Sequence, residues 1–419
     1  MVALLLLWQQ AAIAQQTIRG KVLAVSGEPI PNASIFIPNT SMGTTSKADG
    51  TFVLDRFPPG TFKMAVSCIG YELAIVPVAN DREKEWVIRL QRKDNSLNEV
   101  IVRNYVQNGW KKWGEIFQAA FIGTSAFAPD CRIVNTDVLH FVYNEHSSVL
   151  QVFADEPLVI ENRALGYHIS TELVDFSYNI TTNDVDYQIY SYFLPLAGSE
   201  REIGTWTKNR KTAYRLSSLA FFRAVYQGAW EKKYTVLRLV KENGKEKIRI
   251  QALYQQRIEQ LSLQLGQTLN MSDRSDRKLL DKTFPRDSVT YYTKVLQQQD
   301  NVVQLKKSPL SFADIATRID SNTARLDFDQ YLLVVNRQMK EPTEYLQYRR
   351  QVLSTDKAYT MQASQLLVPE YPETELFLTK GLPIDIHPSG YFNNVDLYFN
   401  GFWGWWEKLA TRLPYEYEE

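Results

Sequence analysis

The sequence predicts a mainly β protein: a seven-stranded β-sandwich near the N-terminus, followed by a larger β-rich α+β domain. Three observations predict it. Between Thr17 and Leu90, short runs of β-formers alternate apolar and polar residues and are broken by Gly, Pro, Asn or Asp. After Arg132 the same patterning returns, interleaved with stretches whose apolar residues recur at helical spacing. Aromatic residues make up 12% of the chain, which suits strands and packed cores and argues against disorder. At 419 residues the chain is long enough for two or three cores.

The first seven runs are Thr17–Val25, Ala33–Ile37, Thr44–Lys47, Thr51–Leu54, Phe62–Cys68, Glu72–Val78 and Lys84–Leu90. Ala33, Ile35 and Ile37 share one face, and Trp86, Ile88 and Leu90 share another with Glu85 and Arg89 opposite. One-sided burial of this kind belongs to an antiparallel sandwich sheet. Gly27-Glu28-Pro29 and Ala48-Asp49-Gly50 supply turns, and Pro58-Pro59-Gly60 ends pairing and reverses the chain. Asp49 alone at a turn lacks the oxygen ligands a calcium site needs, so it reads as turn chemistry. Phe62, Met64, Val66 and Cys68 alternate onto one face, which makes Cys68 a buried core thiol, not expected to bridge to Cys131.

The order Gly27-Glu28-Pro29-Ile30-Pro31-Asn32-Ala33, Gly43-Thr44-Thr45, Ala48-Asp49-Gly50-Thr51-Phe52, Pro59-Gly60 and Gly70-Tyr71 resembles the carboxypeptidase-regulatory-like domain. That resemblance covers residues 17–92 and implies a transthyretin-like β-sandwich serving as an accessory unit. A linker over 93–107 and a β-rich α+β domain over 108–419 follow. Leu97 to Tyr105 resembles the segment that follows this module in TonB-dependent outer-membrane receptors. The residues left after it are too few for a plug and a large barrel at about 9–11 residues per membrane strand. The likeness is therefore read as shared junction architecture.

The start, Met1 to Ala14, reads MVALLLLWQQAAIA: a short apolar run and a small-x-small site, as in a signal peptide cleaved after Ala14. The basic segment that usually opens such a leader is missing, so the true start is expected upstream. No Cys follows the site to take a lipid anchor, and no later apolar run is long enough for a transmembrane helix. The expected address is the periplasm or an outer-membrane-associated position. Lys plus Arg and Asp plus Glu are equal at 47 each, which gives no electrostatic ground for a nucleic-acid partner.

In the remainder, Trp110, Trp113, Phe117 and Phe121 fall at helical spacing between a candidate Asn108 cap and Gly123. Strands are expected at Val138–Tyr143, Val149–Ala154, Leu158–Glu161, Tyr167–Ser177 and Tyr187–Leu194. One long helix is expected from about Asn209 to Gln227, ended by Gly228. Lys208, Arg210, Lys211 and Arg215 crowd its start against the helix dipole and read as a solvated face. Further strands are expected at Tyr234–Lys241, Lys247–Leu253, Ser288–Val295, Tyr331–Arg337 and Ser364–Val368, with a strand, turn and strand over Glu375–Ile386. Gln255 to Arg286 reads as a polar, mobile loop. Trp406, Leu409, Ala410 and Leu413 predict a terminal amphipathic helix stopped by Pro414. Trp403, Trp405 and Tyr415 are the candidate ligand-binding aromatics. The motifs from Trp110 through Gly401-Phe402-Trp403-Gly404 resemble the tail of envelope proteins that carry the same module, a family that brings no activity to transfer.

Candidates for catalysis are scarce. The only histidines are His140, His146, His168 and His387, and no HxxE, HExxH or HxH pair occurs among them, so no zinc carboxypeptidase ligand set is read. His140 and His146 are the pair that a hairpin would bring together. Cys131-Arg132 is a thiol beside a cation without a base, and Asp184 and Asp186 share one strand face. No catalytic residue, cofactor or metal is expected. The expected role is a non-catalytic exported envelope protein that binds a partner protein or surface polysaccharide, or acts as a scaffold. The alternatives are an outer-membrane component linked to TonB-dependent transport and a hydrolase of peptides or glycans.

Overall fold

The computed structural model describes residues 16–57, 62–78, 85–93, 105–242, 245–266, 269–270, 273–297, 301–304, 309–329, 331–355, 368–378, 381–392 and 397–419. The expected leader with its Ala14 site, and Leu97–Asn104 of the junction, lie outside them.

The expected seven strands form, each within a few residues of its predicted bounds: β1 (Gln16–Ala24), β2 (Ser34–Phe36), β3 (Gly43–Thr45), β4 (Thr51–Phe57), β5 (Phe62–Ser67), β6 (Ala74–Val78) and β7 (Glu85–Leu90). They make two sheets, β4-β1-β7 and β3-β2-β5-β6. All pairs are antiparallel except β1 with β7, which is parallel. Val22, Phe52, Leu54, Ile88 and Leu90 from one sheet meet Ile35, Met64, Val66 and Val78 from the other in a closed core. Each such side chain, fully buried, contributes about 1.5–3 kcal/mol. The 48–50 turn is set locally. Asp49 Oδ1 accepts from Thr51 N–H at 3.0 Å and Thr51 Oγ1 at 2.6 Å, and these bonds hold the carboxyl below its ordinary value. Gly50 has φ +77°, and a Cβ there would lie 2.5 Å from Val22 O, so only glycine closes this turn.

The larger domain begins with α1 (Gly109–Phe121), which buries Trp113, Phe117 and Phe121 as its spacing requires. Asn108 occupies the cap position but makes no side-chain cap bond. Then come β8 (Cys131–Ile133), β9 (Leu139–Asn144), β10 (Val149–Ala154), β11 (Leu158–Asn162), β12 (Tyr167–Asn179) and β13 (Val185–Pro195). They form one antiparallel sheet organised on β12. One edge of β12 is shared, with β11 against Tyr167–Thr171 and β10 against Ser177–Asn179, while β13 pairs along the other. The inner face carries Phe141, Ile160, Ile169, Phe176 and Phe193 under α1, with Phe117 edge-on to Phe176 at 4.9 Å.

The long helix expected from Asn209 is two helices, α2 (Glu200–Leu216) and α3 (Ser218–Gln227). Its true start is a capping box in which Ser199 and Glu202 bond reciprocally, so the basic residues fall within α2 and not at its first turn. Ser217 is extended, and its hydroxyl accepts from Ala220 N–H, which breaks one helix and caps the next.

A second difference follows β14 (Tyr234–Glu242). Where strands were expected at Lys247–Leu253 and Ser288–Val295 around a loop, three helices stand: α4 (Lys245–Leu265), α5 (Arg274–Asp281) and α6 (Arg286–Leu296). Ile250, Tyr254, Leu280 and Val295 make their own small core, partly covered by Ile258, Leu261 and Tyr292. Ile250, Tyr254, Ile258 and Leu261 lie at helical spacing, and that longer period overrides the strand expected at Lys247–Leu253. The chain returns as β15 (Asn301–Gln304), paired with β14.

The rest is α7 (Phe312–Ile315), β16 (Ala316–Asp320), β17 (Thr323–Leu326), β18 (Tyr331–Asn336), α8 (Thr343–Thr355), β19 (Glu373–Leu378), β20 (Ile384–Ile386), β21 (Leu397–Gly401) and α9 (Phe402–Trp406). Two antiparallel sheets result, β15-β14-β18-β19-β21 and β16-β17-β20. The two strands expected within Glu375–Ile386 exist but belong to different sheets. The strand expected at Ser364–Val368 falls, apart from Val368, outside the described residues.

The terminal helix is also corrected. It spans only Phe402–Trp406 and does not run to Pro414. Leu409 and Ala410 give their N–H groups to Phe121 O and Ile122 O at 3.2 and 3.1 Å, and Asn162 Nδ2 donates to their carbonyls. Backbone groups bonded to other segments are unavailable to a helix, although Leu409, Ala410 and Leu413 are buried as their pattern requires.

Candidate functional site

The sandwich is held against the outer face of the β8–β13 sheet. Its loop after β2 lies along the edge of β13: Asn39 N–H donates to Ser191 O at 2.6 Å and Phe193 N–H to Thr40 O at 2.9 Å. Thr40 and Tyr192 form a parallel bridge, and Phe36 packs on Tyr192 at 5.6 Å. Further along, Phe62 of β5 packs on His387 and Tyr391 at 5.7 and 5.3 Å. Burial lowers the His387 imidazole below its ordinary value, with Asp385 opposing.

Between these contacts and the far end of the sheet, sandwich and sheet diverge around a cavity of about 300 Å³. One wall is the turn after β5, with Cys68, Ile69 and Tyr71; the other is the outward side of β12 and β13, with Glu172, Val174 and Tyr190. Residues 70–72 pair with 91–93 through Glu72 N–H to Gln91 O and Lys93 N–H to Gly70 O. That pairing sets Lys93 at the rim, where Nζ donates to Asp155 O at 2.8 Å. Ser67 Oγ donates to Glu172 Oε1 across the cavity floor. Burial raises the Glu172 carboxyl above its ordinary value, while the Ser67 bond and Lys93 pull it down. Gln188 Nε2 donates to Tyr190 Oη at 2.8 Å. Burial also raises the Cys68 thiol, which favours the protonated, weakly nucleophilic form. The cleft therefore offers an apolar wall with several hydrogen-bonding groups, a lining suited to holding a ligand.

The residues singled out from sequence are not gathered here. Trp403 is 1% exposed, and its Nε1 donates to Leu216 O at 2.9 Å. Trp405 is buried beside Tyr345 at 5.1 Å and donates to Thr124 Oγ1 at 2.8 Å. Tyr415 packs edge-on against Tyr391 at 5.5 Å. The three do not share an open surface, because the strongest apolar side chains near the chain end close the core.

His140 bonds Asp155 Oδ2 at 2.6 Å and lies opposite Phe153, while His146 sits in the following turn, so the hairpin does not bring them together. His168 stands between Glu161 and Leu194 in its sheet. Among the described residues no three His, Cys, Asp or Glu side chains converge as a metal-holding group. Asp184 accepts from Thr182 Oγ1 at 2.6 Å in the turn before β13, and Asp186 is exposed. Burial pushes the Cys131 thiol up to about 12, and Arg132 is held by Glu161. Both cysteines are free, and Cys68 is half-buried at the cleft and not in the core centre. Of the four cations read as a solvated face, Lys208 is exposed, whereas Arg210 bonds Leu165 O at 2.6 Å, and Arg215 and Lys211 meet Glu419 at 2.6 and 3.6 Å.

Sequence reasoning did not find Glu172, Ser67, Gln188 or Tyr190. Ser67 and Glu172 are 105 residues apart, and on their strands Glu172, Gln188 and Tyr190 look like ordinary solvent-facing alternation. The covering sandwich alone makes them a site.

Two comparisons bear on this arrangement. Residues 18–102 match the CarboxypepD_reg-like domain family. The chain is also 35% identical over 97 residues to the TonB-dependent receptor SusC of Bacteroides thetaiotaomicron. The match covers 23% of this chain and 9% of that receptor, so the chain spans under a tenth of the relative's length. Strand count, turn chemistry and family match agree that the N-terminal unit is a CarboxypepD_reg-like domain.

Proposed function

We propose that the chain is a non-catalytic component of the cell envelope that binds an envelope partner at the cleft between its CarboxypepD_reg-like domain and its larger domain. The similarity to part of a TonB-dependent receptor supports the envelope address. The cleft lining supports binding: a protonation-shifted carboxyl, tyrosines and an apolar wall hold a ligand without a paired nucleophile and base. Among the described residues no helix is long and apolar enough to cross a membrane. The same similarity favours a more specific reading, a component associated with a TonB-dependent transport assembly.

Fractionation of cells making the tagged chain, followed by cross-linking and identification of captured proteins, tests both readings. Recovery with the envelope is expected, and recovery in the cytosol with Met1 retained would overturn the address. Capture of a TonB-dependent receptor would support the narrower reading, and an envelope-located chain that captures none would remove it.

A further inference from the structure

The cleft between sandwich and sheet, at about 300 Å³, stands at the lower end of the roughly 300–1,000 Å³ range of ligand pockets, so it takes one side chain and not a folded segment. Its charge is one-sided. Asp155, Glu156 and Glu172 line it from the sheet, and among the described lining residues Lys93 is the one lysine or arginine. Lys93 Nζ is held by a main-chain carbonyl, Asp155 O at 2.8 Å, and the Asp155 carboxylate meets His140 Nε2 at 2.6 Å. Glu156 is exposed at the mouth, and Glu172 is half-buried at the floor. Glu172 Oε1 accepts from Ser67 Oγ, and among the described residues no donor meets Oε2.

The walls fit a long side chain with a charged end. Ile69 and Ile75 on the sandwich and Val174 on the sheet give apolar surface, with Ile69 71% and Val174 46% exposed. An alkyl stem lies along such surface while its ammonium reaches a carboxylate or a ring face. The Tyr71 ring already has the Arg92 guanidinium at 5.8 Å, which leaves Tyr190 as the ring for an incoming cation. The single unmet oxygen of Glu172 matches a point-like ammonium better than a two-pronged guanidinium. An anion would meet three carboxyl groups, and a neutral group would leave Glu172 without a counter-charge. Burial raises the Glu172 carboxyl, with Ser67 and Lys93 opposing, so an arriving cation also draws it into the ionised form.

We propose that the cleft binds a lysine side chain of the envelope partner, with its ammonium beside Glu172 and Tyr190 and its stem against Ile69, Ile75 and Val174. This rests on the reading of the cleft as a partner site and supplies the chemistry by which the partner is recognised.

The full chain is titrated with Nα-acetyl-lysine N-methylamide and with its glutamine and glutamate counterparts, and binding is read by NMR. The lysine amide is expected to bind at least about tenfold tighter than either counterpart, and Glu172→Gln to weaken it by about tenfold. Should that variant fail to fold, Glu156→Lys decides: it changes an exposed residue at the mouth and is expected to weaken the lysine amide by about threefold or more through like charge. No binding of the lysine amide, equal binding of the three amides, or lysine-amide binding unchanged in the folded variant overturns the site. A photoreactive residue at Val174 separates this contact from the partner reading. Capture of an envelope component that Glu172→Gln leaves unchanged would overturn the lysine contact and keep the partner reading. Lysine-amide binding that Glu172→Gln weakens, with no capture from Val174, would support the contact and remove the partner reading.

Discussion

The aromatic cluster around α9 and the seam between sandwich and sheet both join distant parts of the chain, but by different means. Trp403 bonds a carbonyl 187 residues away, and Ser67 bonds a carboxyl 105 residues away. Around Trp403 and Trp405 the contacts are rings and aliphatic groups with almost no exposed surface, and each large side chain there removes much apolar area from water. The seam is made of backbone pairs, a serine–carboxyl bond and a few rings, and a protein hydrogen bond contributes only about 1 kcal/mol net. The cluster therefore fixes the larger domain, while the seam fixes direction and register at little depth in free energy. A ligand can influence such a boundary; it cannot enter the cluster.

Four substitutions break or sharpen this contrast. Trp403→Ala empties the centre of the cluster and is expected to cost about 3–5 kcal/mol in denaturant unfolding. A cost below about 1 kcal/mol would place the stabilising core elsewhere. Lys408 probes the same region through charge. Burial, reinforced by Arg412, pulls its ammonium from 10.5 down to about 8. Between those values the unfolded chain holds a proton the folded chain has lost, so stability rises with pH there. Lys408→Met is expected to remove that rise and to stabilise the chain at pH 7 by about 1–3 kcal/mol, read from melts across pH. Ser217→Ala removes the cap at the α2–α3 break and should cost about 1 kcal/mol by the same unfolding measurement.

The smallest effect belongs to the seam. The Glu172 carboxyl is raised by burial, so its contribution is complete below the ordinary carboxyl value and is lost as pH rises through the raised one. Glu172→Gln should match the unaltered chain in acid and exceed it slightly above neutrality in a pH series of melting temperatures. A variant less stable above neutrality would mean that the Ser67 bond to the charged form outweighs its burial.

Legibility from sequence follows the range of the interactions. The sandwich was readable because its turns are local: Asp49 bonds Thr51, two residues away, and Gly50 alone tolerates its backbone. The strands from Leu139 to Pro195 were readable because burial on one face imposes alternation. The helices from Lys245 to Leu296 were missed because their small core gives a weak period, and Val and Tyr in Ser288–Val295 favour strands by propensity. The α2–α3 break was missed because Ser217 fits a helix until its hydroxyl is needed as a cap. Tryptophans near the chain end signalled a binding face by composition, yet composition cannot say which side of a sheet they close. Nothing local marks the cleft, whose walls meet only after the sandwich docks.

The cleft is the central claim, and site-specific photo-cross-linking in intact cells tests it most directly. A photoreactive residue replaces Val174, which is 46% exposed inside the cleft, or Val87, which is 56% exposed on the outer face of the sandwich. Capture of the same envelope component from Val174 and not from Val87 is the expected result. Equal capture from both positions, or capture from Val87 alone, would contradict the account.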